Sequence, residues 1–257
     1  MNLSFYDRAA QTTNPTAKAL LQLMDTKKTN LCLSADLSCA GDVLALADKL
    51  GPQICVFKTH VDIIQDFTRS FASELTNLSE KHNFIIFEDR KFADIGHTVK
   101  EQYGKGLYSI ADWAPITNAH ILPGEGIIDG LKSIGLNKGN GLLLLAQMSS
   151  KGNLFNEAYT ASAVEMAKAH RDFVIGFITQ HRLTEDPAFI SFTPGISSTD
   201  QGDALGQQYV TPRQAILENH TDVIIVGRGI YGATDPIAAA EAYRAEAWQA
   251  YTDRLCL

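Results

Sequence analysis

A chain of 257 residues, 45% hydrophobic and 20% charged, has the length of one eight-fold β/α barrel and the balance of an ordinary globular protein. Its formal net charge of −7 argues against a general nucleic-acid or anionic-membrane binder, but leaves room for a locally basic pocket that takes a small anion. The cysteines, Cys32, Cys39, Cys55 and Cys256, form no CxxC pair and no zinc-ligand spacing; no signal pattern opens the chain, and no run approaches the roughly 18 uncharged apolar residues of a membrane helix. A cytoplasmic protein is expected.

In chain order, a helix near 16–24 is expected to cap the barrel floor. Eight short apolar runs follow, at 30–36, 54–60, 84–91, 109–120, 141–149, 173–179, 189–196 and 222–230. Amphipathic stretches at 42–50, 61–82, 95–103, 125–134, 159–170, 212–219 and 236–254 separate or follow them, and Pro212 and Pro236 suit a first helical turn. The sixth connection, around 183–187, is too short for more than a turn of helix. Continuously apolar strands alternating with helices indicate a parallel sheet, and eight such units predict a closed (β/α)₈ (TIM) barrel forming one domain over 1–257. An open doubly wound sheet is the alternative, but no GxGxxG follows the first strand.

Barrel enzymes act at the C-terminal ends of their strands. The first run ends in Ser34 and Asp36, the second in Lys58 and His60, the third in Asp89 and Lys91. Each pair is spaced i, i+2, which puts both members on one face of a strand. One charge at a strand end is ordinarily a solvated loop residue, but three adjacent strands in register point to a site. Asp94 falls in the following loop or first helical turn, where spacing alone leaves helix capping and catalysis both open. At the other end of the chain, TPGI at 193–196 and VGRGI at 226–230 place glycines after strands seven and eight, the recurrent phosphate position of this fold, with Arg228 as a planar fork for phosphate oxygens.

With these residues in view, the sequence resembles the orotidine 5′-monophosphate decarboxylase family. FEDRKFADIG at 87–96 is similar to the family signature Asp-x-Lys-x-x-Asp, and LSAD at 33–36, KTH at 58–60, AQMSS at 146–150, TPG at 193–195, GQQY at 206–209 and VGRG at 226–229 follow in the family's order. The resemblance runs from Leu3 to the C-terminus and is greatest to the decarboxylase half of the animal bifunctional enzyme that makes UMP. The chain departs from the family pattern at His97, where Asn is frequent.

The resemblance implies decarboxylation of orotidine 5′-monophosphate to UMP, the last step of de novo pyrimidine nucleotide synthesis, without metal or other cofactor. It implies a charged array of Lys58, Asp89, Lys91 and Asp94, with Asp94, Ile95 and Thr98 crossing a homodimer interface. Ser34 and Asp36 would hold the ribose, with His60 nearby. Ser149 would read the pyrimidine edge, Pro194 would line the base pocket, and Met148 would belong to the substrate-binding set. Gln207, Tyr209, Gly227 and Arg228 would hold the phosphate.

The chemistry asks for these residue types. Loss of CO₂ from C6 leaves a carbanion that the ring delocalises poorly, so an ammonium group, here Lys91, must stabilise the charge and supply the proton. The segment 195–208, with Ser197, Ser198 and Gly202, reads as a mobile lid. Three rivals remain: a Mg²⁺-dependent sugar-phosphate enzyme on the same barrel, disfavoured by Lys58; a Schiff-base aldolase, disfavoured by carboxylates that keep a lysine protonated; and a non-catalytic phosphate binder.

Overall fold

The structure is a computed structural model that describes residues 3–198, 206 and 208–257. A short helix α1 (Phe5–Ala9) and α2 (Pro15–Lys27) precede strand β1 (Leu31–Ser34). Asn14 caps α2 by accepting the Ala17 N–H, and Pro15 occupies the first turn, where a missing N–H costs nothing. Then follow α3 (Ala40–Leu50), β2 (Val56–Thr59), α4 (Arg69–His82), β3 (Ile85–Phe92), α5 (Gly96–Gly104), β4 (Ile116–Ala119), α6 (Gly126–Gly135), β5 (Gly141–Leu145) and α7 (Glu157–Ala169). The chain ends with β6 (Val174–Ile178), β7 (Ile190–Thr193), β8 (Val223–Val226), α8 (Arg228–Tyr231) and α9 (Pro236–Leu255).

All eight strands are parallel and pair in sequence order, and β8 closes on β1 through Leu31–Ile224, Cys32–Ile225 and Leu33–Val226. The expected TIM barrel is the observed fold. Phe87 of β3 meets Phe192 of β7 edge-on at 6.0 Å, a contact between strands on opposite sides of the ring that fills its interior.

Four expectations need correction. The stretch 61–82 is not one helix: a single 3₁₀ turn (Val61–Ile63) is followed by a turn at Gln65 and Asp66, and α4 begins only where the Thr68 hydroxyl accepts the Phe71 N–H. The run 109–120 yields only β4, because Ser109 lies at φ 41° and leads into a 3₁₀ turn, Ile110–Asp112. The helix expected at 212–219 contains a five-residue π-turn, Gln214–Glu218. The short helices α1 and α8 carry no periodicity long enough to announce them. The β6–β7 connection, 179–189, holds no helix, as its length implied.

Two contacts fix the frame of the barrel, one near its mouth and one at its floor. Helices α5 and α6 touch backbone to backbone: a Cβ at Gly96 would lie 2.2 Å from the Gly126 carbonyl oxygen, and one at Gly130 2.2 Å from that of Gly96. On the floor, buried Asp222 at the start of β8 takes Arg8 in a fork (2.6 and 3.0 Å) and Arg254 at 3.3 Å, and its Oδ2 also accepts the Ser191 N–H. Burial alone would raise the Asp222 carboxyl, but the Arg8 guanidinium and then Arg254 outweigh it and lower the pKa to about 2.

A depressed carboxylate contributes stability above its unfolded value and loses it as pH falls through the folded one. Wild type therefore loses this contribution between pH 3.8 and about 2. Asp222→Asn, by stranding two buried guanidinium groups, should cost about 3–5 kcal/mol at neutral pH and flatten that acid dependence. Urea unfolding over a pH series reads both.

Candidate active site

The C-terminal ends of β1, β2 and β3 deliver one continuous charged cluster. Ser34, the last residue of β1, donates its hydroxyl to Asp36 Oδ1 at 2.6 Å. Lys58 of β2 is 4% exposed. Its Nζ lies 2.8 Å from Asp89 Oδ2, 2.8 Å from His60 Nε2 and 3.6 Å from Asp36 Oδ1. The other oxygen of Asp89, Oδ1, takes the Lys91 ammonium at 2.7 Å. Asp89 thus holds one lysine on each oxygen.

Burial opposes charge at each of these groups, and neighbouring charge decides the result. Burial would raise Asp89, but Lys58, Lys91 and His60 together hold it well below the usual carboxylate range. Burial would lower Lys58, but Asp89 and Asp36 more than compensate, and its pKa rises. Asp36 is lowered in the same way, against burial, by Lys58 and the Ser34 hydroxyl. His60 goes down, through burial and the adjacent Lys58 cation, and so meets Lys58 as a neutral acceptor.

The Asp89–Lys91 pair is not made by plain strand alternation. In the β3–β4 ladder Glu88 pairs with Thr117 and Phe92 with Ala119, so three residues of β3 face Asn118 alone. The excess is absorbed at Lys91, whose φ of 50° is left-handed, a conformation that costs a side-chain-bearing residue roughly 1–2 kcal/mol. Buried Asn118 accepts the Lys91 N–H on Oδ1 at 2.7 Å and donates from Nδ2 to Asp89 Oδ1 at 2.6 Å. Glu88, fully buried on the opposite face of β3, takes the Thr59 hydroxyl at 2.6 Å and the Val61 N–H at 3.0 Å, tying the end of β2 to β3. Burial raises Glu88 to about 8 despite these two hydrogen bonds.

The charged cluster is one wall of a cavity of about 530 Å³. Met148 and Ser149 after β5 and Pro194 after β7 line it further round, and Leu145, Ile178 and Ile225 make it apolar below. Tyr209, Gly227 and Arg228 line it as well, Gly227 beside Ser34 and Asp36, with Arg228 donating to the Tyr209 hydroxyl at 3.1 Å. Two backbone bonds, Gln208 N–H to Ser149 O (3.1 Å) and Lys151 N–H to Gly206 O (2.9 Å), join the segment after β7 to the one after β5.

Of the residues singled out in the sequence, Ser34, Asp36, Lys58, His60, Asp89, Lys91, Met148, Ser149, Pro194, Tyr209, Gly227 and Arg228 all line this cavity. Asp94, Ile95 and Thr98 do not line it. Asp94 and Ile95 face solvent, Ile95 at 62% exposure, and Asp94 Oδ1 accepts the Ile95 N–H without capping α5. Gln207, and with it Gly202 and most of the expected lid, lies outside the described residues.

Residues 29–243 match the model of the orotidine 5′-phosphate decarboxylase / HUMPS family. The chain belongs to that family. It is 54% identical over 255 residues to orotidine 5′-phosphate decarboxylase of Rhizomucor pusillus, covering 98% of this chain and 97% of that one. Identity to the enzyme of the same name from Schizosaccharomyces pombe is 50%, over 98% of this chain and 96% of that one. Uridine 5′-monophosphate synthase of Bos taurus is also 50% identical over 99% of this chain, but the match spans 53% of that longer protein. Among solved structures, orotidine 5′-monophosphate decarboxylase from Methanocaldococcus jannaschii, complexed with the inhibitor BMP, superposes with a TM-score of 0.66. That match covers 85% of this chain and 98% of the other at 20% identity, a likeness of fold.

Two neighbours of the charged cluster escaped the sequence reading. Asn118 sits inside an apolar run, and Glu88 points away from the mouth; only the ladder irregularity and the burial reveal them. A carboxyl raised on folding favours the folded state at low pH, and that contribution fades as pH rises from 4.5 through about 8. Glu88→Gln, which keeps the shape without the charge, should therefore hold its thermal midpoint above that of wild type once pH passes 8. Differential scanning calorimetry from pH 6 to 9 checks this.

Proposed function

We propose that this chain decarboxylates orotidine 5′-monophosphate to UMP, the closing step of pyrimidine nucleotide synthesis, and that it does so without a cofactor. Family membership supports the carboxy-lyase activity. The mechanism rests on one observation, the largely enclosed Asp89 carboxylate held between the ammonium groups of Lys58 and Lys91 at the mouth of the barrel.

The substrate carboxylate lies against Asp89 and Lys91. When the bond from C6 to the carboxylate carbon breaks, its electron pair stays on C6 and CO₂ leaves neutral. The Lys91 ammonium faces the developing carbanion and stabilises it more than it stabilises the reactant, which is what accelerates the step. The same Nζ–H then passes its proton to C6, giving UMP and a neutral amine that water reprotonates. Asp89, itself held by Lys58, keeps the Lys91 side chain aimed at C6.

Arg228, Tyr209, Gln207 and the Gly227 N–H hold the phosphate, an arrangement favoured by the guanidinium fork and the glycine-lined approach. Met148, Ser149 and Pro194 border the base, and Ser34 and Asp36 hold the ribose beside His60. Phosphate binding far from C6 supplies energy for ordering the segments after β5 and β7, which the two backbone bonds between them already couple.

A Mg²⁺-dependent relative would need a cation among these carboxylates, yet the Lys58 ammonium sits between Asp36 and Asp89. A Schiff-base aldolase would need a neutral lysine, whereas Lys58 is raised. Among the described residues no helix is long and apolar enough to cross a membrane. In the proposed homodimer, exposed Asp94 and Ile95, with Thr98, complete the neighbouring site.

Orotidine 5′-monophosphate consumption, followed by ultraviolet absorbance with EDTA present, should be rapid for wild type. It should fall by at least about 10⁴-fold in Lys91→Ala. Absence of turnover by folded, phosphate-binding wild type would overturn the assignment. Mixing inactive Lys91→Ala and Asp94→Asn proteins under subunit exchange should restore up to about a quarter of wild-type activity, because half the dimers become hybrids with one intact site each. No recovery after proven exchange removes the shared site.

A further inference from the structure

We infer that Asn118 is a positioning residue for the decarboxylation: its one amide sets the backbone of Lys91 and the carboxylate of Asp89 together. The inference rests on the reaction proposed above, and it begins from the ladder. Between the Glu88–Thr117 and Phe92–Ala119 pairs, β3 has three residues where β4 has one. Two side chains of β4 replace the missing regular bonds. The Thr117 hydroxyl donates to the Glu88 carbonyl at 3.0 Å, and Asn118 Oδ1 takes the Lys91 N–H at 2.7 Å.

The orientation of the amide is determined by its partners. Ionised Asp89 has no proton to donate and a backbone N–H has no lone pair to accept with, so Oδ1 must face Lys91 and Nδ2 must face Asp89. On its other side Asn118 sits in a regular pairing with Leu143 of β5, so the amide projects from an undistorted strand onto a distorted one. Lys91 is the one non-glycine residue with positive φ within any of the described strands, and it is the residue whose ammonium must meet C6. An amide that satisfies its N–H in that conformation, and fixes the carboxylate beside its Nζ, aims the lysine from both ends. Tolerance at a reacting atom is small: a misplacement of about 1 Å costs on the order of 10²-fold in rate.

Asn118→Ala should therefore lower kcat by about 10²-fold, while KM and the affinity for UMP stay within about threefold, since the phosphate and base contacts are elsewhere. Asn118→Asp should add a signature that a purely structural role would not give. The groups facing that position are Asp89 and Lys91 in contact, Lys58 and His60 behind Asp89, and His120 further along the chain after β4. The new carboxyl group, when ionised, would repel Asp89, whereas its protonated form donates to Asp89 as the amide does. The variant should lose activity steeply toward pH 8 and regain it toward pH 6, a limb absent from wild type. A kcat for Asn118→Ala within threefold of wild type, or kcat and UMP affinity falling in parallel, overturns the inference. If wild type does not consume orotidine 5′-monophosphate, the proposed reaction fails by itself. A crystal structure of Asn118→Ala then decides the inference: Lys91 departing from positive φ upholds it, and an unchanged Lys91 overturns it.

Discussion

A carboxylate stripped of water and given one ammonium on each oxygen is the interaction on which the rest of this site depends. Asp89 would be costly to bury alone, and Lys58 would be costlier still. Together they are tolerable because three strands bring opposite charges to one point, and Asp36 balances the second lysine. The array is nearly neutral as a whole but intensely polar locally. That is the condition under which a barrel mouth can favour a change in charge distribution during a reaction, with little reorganisation of its own.

The β8 end of the cavity works by different means. Arg228 comes two residues after the end of β8 and is met by Tyr209 from the segment after β7, while Leu145, Ile178 and Ile225 line the same cavity. One cavity thus holds two kinds of charge, a paired cluster on β1 to β3 and the guanidinium of Arg228 after β8, with apolar side chains lining the same space. The division lets affinity be gained at one end and spent at the other.

Much of this was legible from residue order. The strand runs stood out because each is continuously apolar, and their polar ends stood out because Ser34 and Asp36, Lys58 and His60, and Asp89 and Lys91 share a two-residue spacing. That spacing led to residues that do come together at one cavity, though Asp89 and Lys91 meet through a left-handed Lys91 and an irregular ladder rather than through simple alternation. Asn118 was invisible because a buried amide inside an apolar run has no periodic signature; its meaning lies in which strand sits beside it. Glu88 was hidden by its neighbour, being an acid next to an acid, and only the face it occupies separates the two roles. The helix limits near 61–68 were missed because local caps such as Thr68, which override hydrophobic period, are short-range signals of low contrast.

Closure of β8 onto β1 has a consequence for how the molecule comes into being. The strands that pair last are separated by nearly the whole chain, and such pairings are slow because a long loop must be ordered before any contact rewards it. The site spans this seam: Ser34 ends β1 and Asp36 follows it, while Gly227 and Arg228 follow β8. During synthesis the first three strands, with their lysines and carboxylates, leave the ribosome long before the strand that completes their wall. Until then Asp222 has not yet emerged to pair with Arg8, and the interior faces of β1 have no neighbour on one side. Until β8 has been made, the cavity lacks the wall that carries Gly227 and Arg228, so the site is complete only when nearly the whole barrel has been synthesised.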